Sequence, residues 1–243
     1  MHQINKCGKC EAEPVSGSCD DCNTSAADLK EMFELTDTIA TQLADILNKH
    51  AGKFGIDTIE ELQHFLAQAG KETSGFKNLV NENLDYSVKN LIDTWPSRFS
   101  QTDLTKLDPD DYAHNSVKLG EYVYGYRNGN TQAGDGYLYR GRGAIQITGR
   151  THYTNFSNYY KDNFDSSVDI LKNPNLISSN LEIAIISGLW FFQTEVMDKL
   201  PPIDANTPVL KITNKINRGE TKKKKEERKK IFDEKVKPNA KCN

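Results

Sequence analysis

The chain has 243 residues, 37% of them hydrophobic and 27% charged, with a formal net charge of −3. That length fits one sizeable domain, alone or with a small appendage, and the composition is that of a globular protein able to bury a core. A balance this near neutral supplies no global field for nucleic acid or membrane, and the longest uncharged apolar stretch, residues 183–193, is too short to span a bilayer. The average hides one asymmetry: residues 222–241 hold ten Lys or Arg against four Asp or Glu, a local +6.

In chain order, the first 22 residues carry four of the five cysteines, as Cys7-x2-Cys10 and Cys19-x2-Cys22, with Pro14 and Gly17 suited to a turn between them. Two such hairpins can set four thiolates about one zinc ion. The eight-residue gap is shorter than the common ribbon spacing, and two disulfides are the competing reading. A segment this small needs a metal or a disulfide to fold. Residues 1–24 are therefore read as a zinc-ribbon-like appendage with structural zinc on Cys7, Cys10, Cys19 and Cys22. Residues 25–30 are a linker and residues 31–243 the main domain.

Thr24 or Ser25 can cap the first helical stretch, whose apolar positions Leu29, Phe33, Ile39, Leu43, Ile46 and Leu47 keep a helical period. Gly52 and Gly55 break it. Asp57 or Thr58 can cap the next helix, which runs through Ile59, Leu62, Phe65, Leu66 and Ala69, with Glu72 one turn beyond. Residues 80–113 read as short helices and loops broken at Pro96, and the glycine- and aromatic-rich residues 125–143 as a loop or small hairpin lining a cleft. Residues 175–200 form a buried helix stopped by Pro201-Pro202. Helix signals dominate, and the expected fold class is mainly α, a two-lobed domain.

Chemistry enters with the carboxylates. In "HFLAQAGKETSGF" an apolar helix delivers Glu72 to the point where the chain breaks, with Ser74-Gly75 letting it turn away. An apolar face favours the protonated form of an acid. Ten residues on, "NENLDYS" presents Glu82. A carboxyl pair of this kind, one protonating a leaving oxygen and the other activating a water, is what inverting glycoside hydrolysis requires. Spacing alone does not distinguish the pair from solvated surface charge.

The discriminating block is "GDGYLYRGRGAIQITGRTHY", residues 134–153. Together with "HFLAQAGKETSGF", "NENLDYS" and "KINRG", in that order between about residues 30 and 235, it resembles glycoside hydrolase family 19, the chitinases and phage-type endolysins. The resemblance implies a lysozyme-like, family 19 chitinase-like fold and cleavage of β-1,4-linked N-acetyl amino sugars with inversion, without a catalytic cofactor. It implies Glu72 as general acid, Glu82 as general base and Thr148 as the hydroxyl that orients the attacking water. Gln146 and Asn217 fall at sugar-contacting positions, and Arg228 at that of an arginine linked to the catalytic carboxylates. Ser74, Tyr139 and His152 are grouped with the substrate contacts, and Arg142 is a structural or carboxylate-organising partner. Tyr139 could equally fill the underside of its loop, Gln146 and Thr148 could satisfy backbone groups, and Arg228 sits in "KKKKEERKK", a composition typical of a solvated helix. Trp190, Phe191 and Phe192 read as core. Three positions depart from the family pattern: Lys71 in place of histidine, His152 of asparagine, and Arg218 of a second glycine.

Three functions follow. The first is an endolysin acting on peptidoglycan, favoured by the lack of cysteines from residue 23 to 241. The second is a chitinase, and the third a non-catalytic wall-binding homologue. The sequence "MHQINKCGKCEAE" has no apolar core of a secretory signal. It predicts synthesis in the cytoplasm and access to the cell wall through a holin partner or a delivery machine, with no nucleic-acid partner.

Overall fold

The computed structural model describes residues 23–77, 79 and 81–241. The proposed zinc ligands Cys7, Cys10, Cys19 and Cys22 lie outside the described residues, as does Cys242. Twelve helices are described: α1 (Ala26–Phe33), α2 (Asp37–His50), α3 (Ile59–Glu72), α4 (Val88–Thr94), α5 (Ser116–Tyr124), α6 (Asp135–Leu138), α7 (Arg150–Asn163), α8 (Leu176–Ser179), α9 (Leu181–Phe191), α10 (Val209–Ile216), α11 (Lys222–Lys230) and α12 (Lys237–Asn239). Among the described residues there is no strand beyond two isolated bridges, Phe99 with Leu107 and Arg142 with Ile147. The mainly α expectation holds. The chain divides into two compact units, one of residues 80–180 and one built from the segments on either side.

The unit of flanking segments contains α1–α3 and α9–α12. Helix α3 starts in a reciprocal cap: Thr58 accepts from the Glu61 N–H (3.3 Å), and the Glu61 carboxylate accepts from the N–H groups of Asp57 (2.9 Å) and Thr58 (3.0 Å). Every residue from Leu62 to Gly70 is buried, a consequence of packing on several sides at once. Helix α9 is apolar all round and buried from Ile183 to Phe191, as a helix without a polar face must be. The sequence expects Glu72 one turn past α3; instead it is the helix's last residue. Thr73 then donates its hydroxyl to the Ala69 carbonyl (2.7 Å) and accepts from the Phe76 N–H (2.8 Å). Ser74, Gly75 and Phe76 all take left-handed backbone conformations, so the chain reverses immediately beyond the carboxylate.

The unit of residues 80–180 contains α4–α8. Leu84, Leu91, Phe99 and Leu119 form one core cluster, packed by Tyr86, Trp95, Tyr112 and Tyr122. Residues 125–143 hold the short helix α6 rather than a hairpin. Asp135 explains it: its carboxylate accepts from the N–H groups of Thr131 (2.9 Å) and Gln132 (3.0 Å) and from Arg150 Nε (2.8 Å), which closes the loop into a turn that regular strand pairing would open.

His64, on the buried face of α3, stacks on Phe232 with centroids 4.6 Å apart. Burial lowers its pKa to about 4 from the usual 6.5. Between those values the unfolded chain binds the extra proton, so this group's contribution is complete above pH 6.5 and is lost as pH falls to 4, reaching about 3 kcal/mol. Denaturant titrations at pH 7 and pH 4 should show His64→Leu losing less stability on acidification than the wild type, by about that amount.

Candidate active site

Glu72 closes α3 at the end where the helix dipole disfavours negative charge. What holds it is Arg228 on α11, whose side chain is fully buried. Burying a guanidinium costs several kcal/mol unless its donors are all used. Here Nε donates to Glu220 Oε2 (2.6 Å) and Nη2 to Glu220 Oε1 (3.0 Å), a two-point grip. Nη2 also donates to Glu72 Oε1, and Nη1 to the Gln68 carbonyl (3.3 Å) and Gln68 Oε1 (3.1 Å). The five N–H groups of an arginine are thereby spent. Burial works against the charge, but Glu220 and Glu72 outweigh it, and Arg228 holds its proton more tightly than a free arginine does.

The surroundings extend this network. Gln68 donates to the Thr213 hydroxyl on α10 (3.1 Å). Asn217 ends α10, its N–H donating to the Thr213 carbonyl (2.7 Å) while its own carbonyl accepts from the Glu220 N–H (3.3 Å). That turn carries Glu220 back to Arg228. Lys71 pairs with Glu227 at 2.6 Å; consecutive residues of α3 meet consecutive residues of α11. Arg218 is exposed and its carbonyl accepts from Lys225 (3.0 Å). Ser74 is exposed on the left-handed turn after the helix.

Glu82 belongs to the unit of residues 80–180. Its N–H donates to the Gly141 carbonyl (2.8 Å), Oε2 accepts from the Gly141 N–H (3.2 Å), and Oε1 accepts from the Tyr124 hydroxyl (2.7 Å). Burial, reinforced by the Glu82 charge, pushes the Tyr124 hydroxyl far above its ordinary range, so it stays a donor. Gly141 has no side chain for a reason: a Cβ there would stand 2.8 Å from Gln146 Oε1 and 3.4 Å from both Glu82 Oε2 and Thr148 Oγ1. Three oxygens thus converge on the open side of this glycine. The Thr148 hydroxyl donates to the Gln146 carbonyl (3.0 Å) and so faces that space as an acceptor. Gln146 has a left-handed backbone (φ 53°) and its Nε2 donates to the Gly143 carbonyl (3.1 Å). His152 Nδ1 lies 2.9 Å from the Thr148 carbonyl, which can only accept, so that nitrogen carries the proton. Water placed against Glu82 Oε2 and Thr148 Oγ1 would give a hydrogen to each and turn a lone pair outward.

At Tyr139 and Arg142 the sequence leaves two readings open, and the side chains adopt one of them. Tyr139 is 3% exposed, packs its ring on Tyr153 at 5.1 Å and donates to the Leu171 carbonyl (3.3 Å); it fills its loop and offers no face to a sugar. Arg142 is buried and donates to the carbonyls of Leu138 (2.8 Å) and Arg140 (3.2 Å), to Tyr153 (2.9 Å) and to Asn175 (3.0 Å), so it braces backbone and not a carboxylate. Sequence reasoning did not single out Glu220, Tyr124, Gln68 or Thr213. Glu220 follows directly on the "KINRG" turn, which is a local signal; the partnership of Tyr124 with Glu82 spans 42 residues and leaves none.

No family model matches the sequence. A glycosyl hydrolase family 19 domain-containing protein of Haemophilus influenzae is 30% identical over 157 residues, 64% of this chain and 69% of that protein. An acidic endochitinase of Petunia hybrida is 33% identical over 78 residues, 31% of this chain and 27% of that one. Among solved structures, chitinase C of Streptomyces griseus is similar with a TM-score of 0.52 at 19% identity, over 89% of this chain and 92% of its own. At that identity the likeness is one of fold.

Glu220→Ala should destabilise the protein by about 3–5 kcal/mol, since it strips the two-point partner from a buried charge. Glu220→Leu combined with Arg228→Met, which removes the charge as well, should cost less than that single change in thermal and denaturant unfolding.

Proposed function

Because the chain belongs to glycosyl hydrolase family 19, we propose that it hydrolyses β-1,4-linked N-acetyl amino-sugar polymers, with peptidoglycan as its substrate. The convergence of Glu82, Thr148 and Gln146 on Gly141 carries this reading. In the proposed reaction Glu72 is the acid. Arg228 occupies Oε1, so the proton leaves from Oε2 to the glycosidic oxygen as its bond to C1 breaks. Glu82 is the base. It takes a proton from a water that Thr148 helps orient, and the water oxygen bonds to C1 from the opposite face, inverting it. Tyr124 and the Gly141 N–H keep the Glu82 carboxylate fixed, so little reorganisation accompanies the proton transfer. Gln146 and Asn217 are assigned to the N-acetyl groups, with Ser74 and His152 at the edges of substrate contact. Chitin is the second reading, favoured by the relatives described as an endochitinase and a chitinase.

Reducing-end release from purified peptidoglycan and from chitin oligomers tests both. Glu72→Gln and Glu82→Gln should each lower turnover by about 10²–10⁴-fold with the fold intact. Gly141→Ala should reduce it at least as much as a lost proton-transfer group, by intruding among the three oxygens. NMR of the first product should show the inverted anomer. Full activity in either glutamine variant would remove that residue from the chemistry, and release from chitin alone would decide for the second reading.

A further inference from the structure

One cavity beside α3 shares only Ser74 with the contacts assigned above. It measures about 220 Å³, and its lining includes Phe33, Lys71, Ser74, Lys77, Ile231 and Lys235. Its floor is apolar and fixed. The Phe33 ring meets Phe76 edge-on at 5.0 Å and lies so close to α3 that a Cβ on Gly70 would come within 2.5 Å of it. Its rim is cationic. Three ammonium groups, on Lys71, Lys77 and Lys235, are balanced by only two carboxylates: Lys71 pairs with Glu227 at 2.6 Å, while Glu34 is shared between Lys77 (3.4 Å) and Lys235 (3.3 Å). The Glu34 side chain is 72% exposed. Long, exposed pairs of this kind contribute little and exchange readily. A ligand carboxylate can therefore take the place of Glu34 on Lys77 and Lys235.

We propose that this cavity binds the carboxylate-bearing peptide branch of a wall glycan, and so selects peptide-substituted peptidoglycan over chitin. This inference rests on the hydrolase reading above and adds the feature that separates its two substrates. Both polymers share the amino-sugar backbone, and only one carries acidic peptides. The apolar floor of Phe33 and Ile231 receives aliphatic carbons of an amino-acid residue, which a bare phosphate lacks, and the lysines receive its carboxylate. The position is also apt. Lys71 and Ser74 flank Glu72, on the same end of α3 that presents the acid.

The experiment uses full-length protein and three substrates: peptidoglycan, the same glycan after enzymatic removal of its peptides, and chitin oligomers. Replacing both Lys77 and Lys235 by Gln should raise KM on peptide-bearing peptidoglycan about three- to tenfold with kcat unchanged. KM on the stripped glycan and on chitin oligomers should not move, and the difference should shrink at high salt. Glu34→Gln, which releases the two lysines, should lower KM on the peptide-bearing polymer only. Equal effects on all three substrates, or none, would overturn the proposal. Calorimetric titration of a soluble peptide-bearing disaccharide into Glu72→Gln protein, with and without the lysine changes, supplies an independent reading. A severalfold weaker Kd in the lysine variant supports the cavity even if no polymer is hydrolysed, in which case the hydrolase reading alone fails. Identical Kd values, or competition by inorganic phosphate as strong as by the disaccharide, would reject the peptide site.

Discussion

The buried guanidinium of Arg228 sets the terms for the unit built from the flanking segments. A charge with no solvent contact is tolerated only where every donor is met, and its donors are met by three residues from two places: Gln68 and Glu72 on α3, and Glu220 from the turn after α10. That requirement fixes how far α3 runs, because Glu72 must reach Nη2 from the helix's last turn. It fixes the turn after α10 as well, because Glu220 must return to Arg228 eight residues later. The carboxylate that a helix C-terminus would otherwise disfavour is thus placed by a cation that is itself held by a second carboxylate.

Glu82 is held by different means. The Tyr124 phenol and the Gly141 N–H both donate to its carboxylate. The neighbouring loop accepts an unfavourable backbone at Gln146 and a glycine at 141, costs that are sustained where the surrounding structure over-determines them and that gather at functional positions. Those concessions leave Thr148 with its proton committed to a carbonyl and its lone pairs facing the same space as Glu82 Oε2.

Much of the helical frame was legible because its signals are local. The Thr58–Glu61 cap lies within four residues, and the unbroken apolar run of α9 can only be interior. Glu72 and the "RGRGAIQITGR" block were legible by resemblance to the family. What could not be read depends on contacts distant in sequence. Arg228 looks like one more cation in "KKKKEERKK", yet it alone of that helix is buried, facing Gln68 and Glu72 of α3. Tyr139 was grouped with sugar contacts because a tyrosine in a glycine-rich loop suits either side of it; packing on Tyr153 decides for the inside. Residues 125–143 suit either a loop or a small hairpin; Asp135, drawing two N–H groups and Arg150 to itself, decides against the hairpin.

The substitution at Lys71 takes its meaning from the register of α3 against α11. Because Glu72 meets Arg228 and Lys71 meets Glu227, the two pairs turn different sides of the same helix end to different surroundings. An ammonium drawn to Glu227 adds charge to the lysine-rimmed cavity while leaving the Glu72–Arg228–Glu220 network its own partners. A family departure one residue from the proposed acid is therefore compatible with retained chemistry and altered recognition. The physical basis is that adjacent positions on a helix address different neighbours.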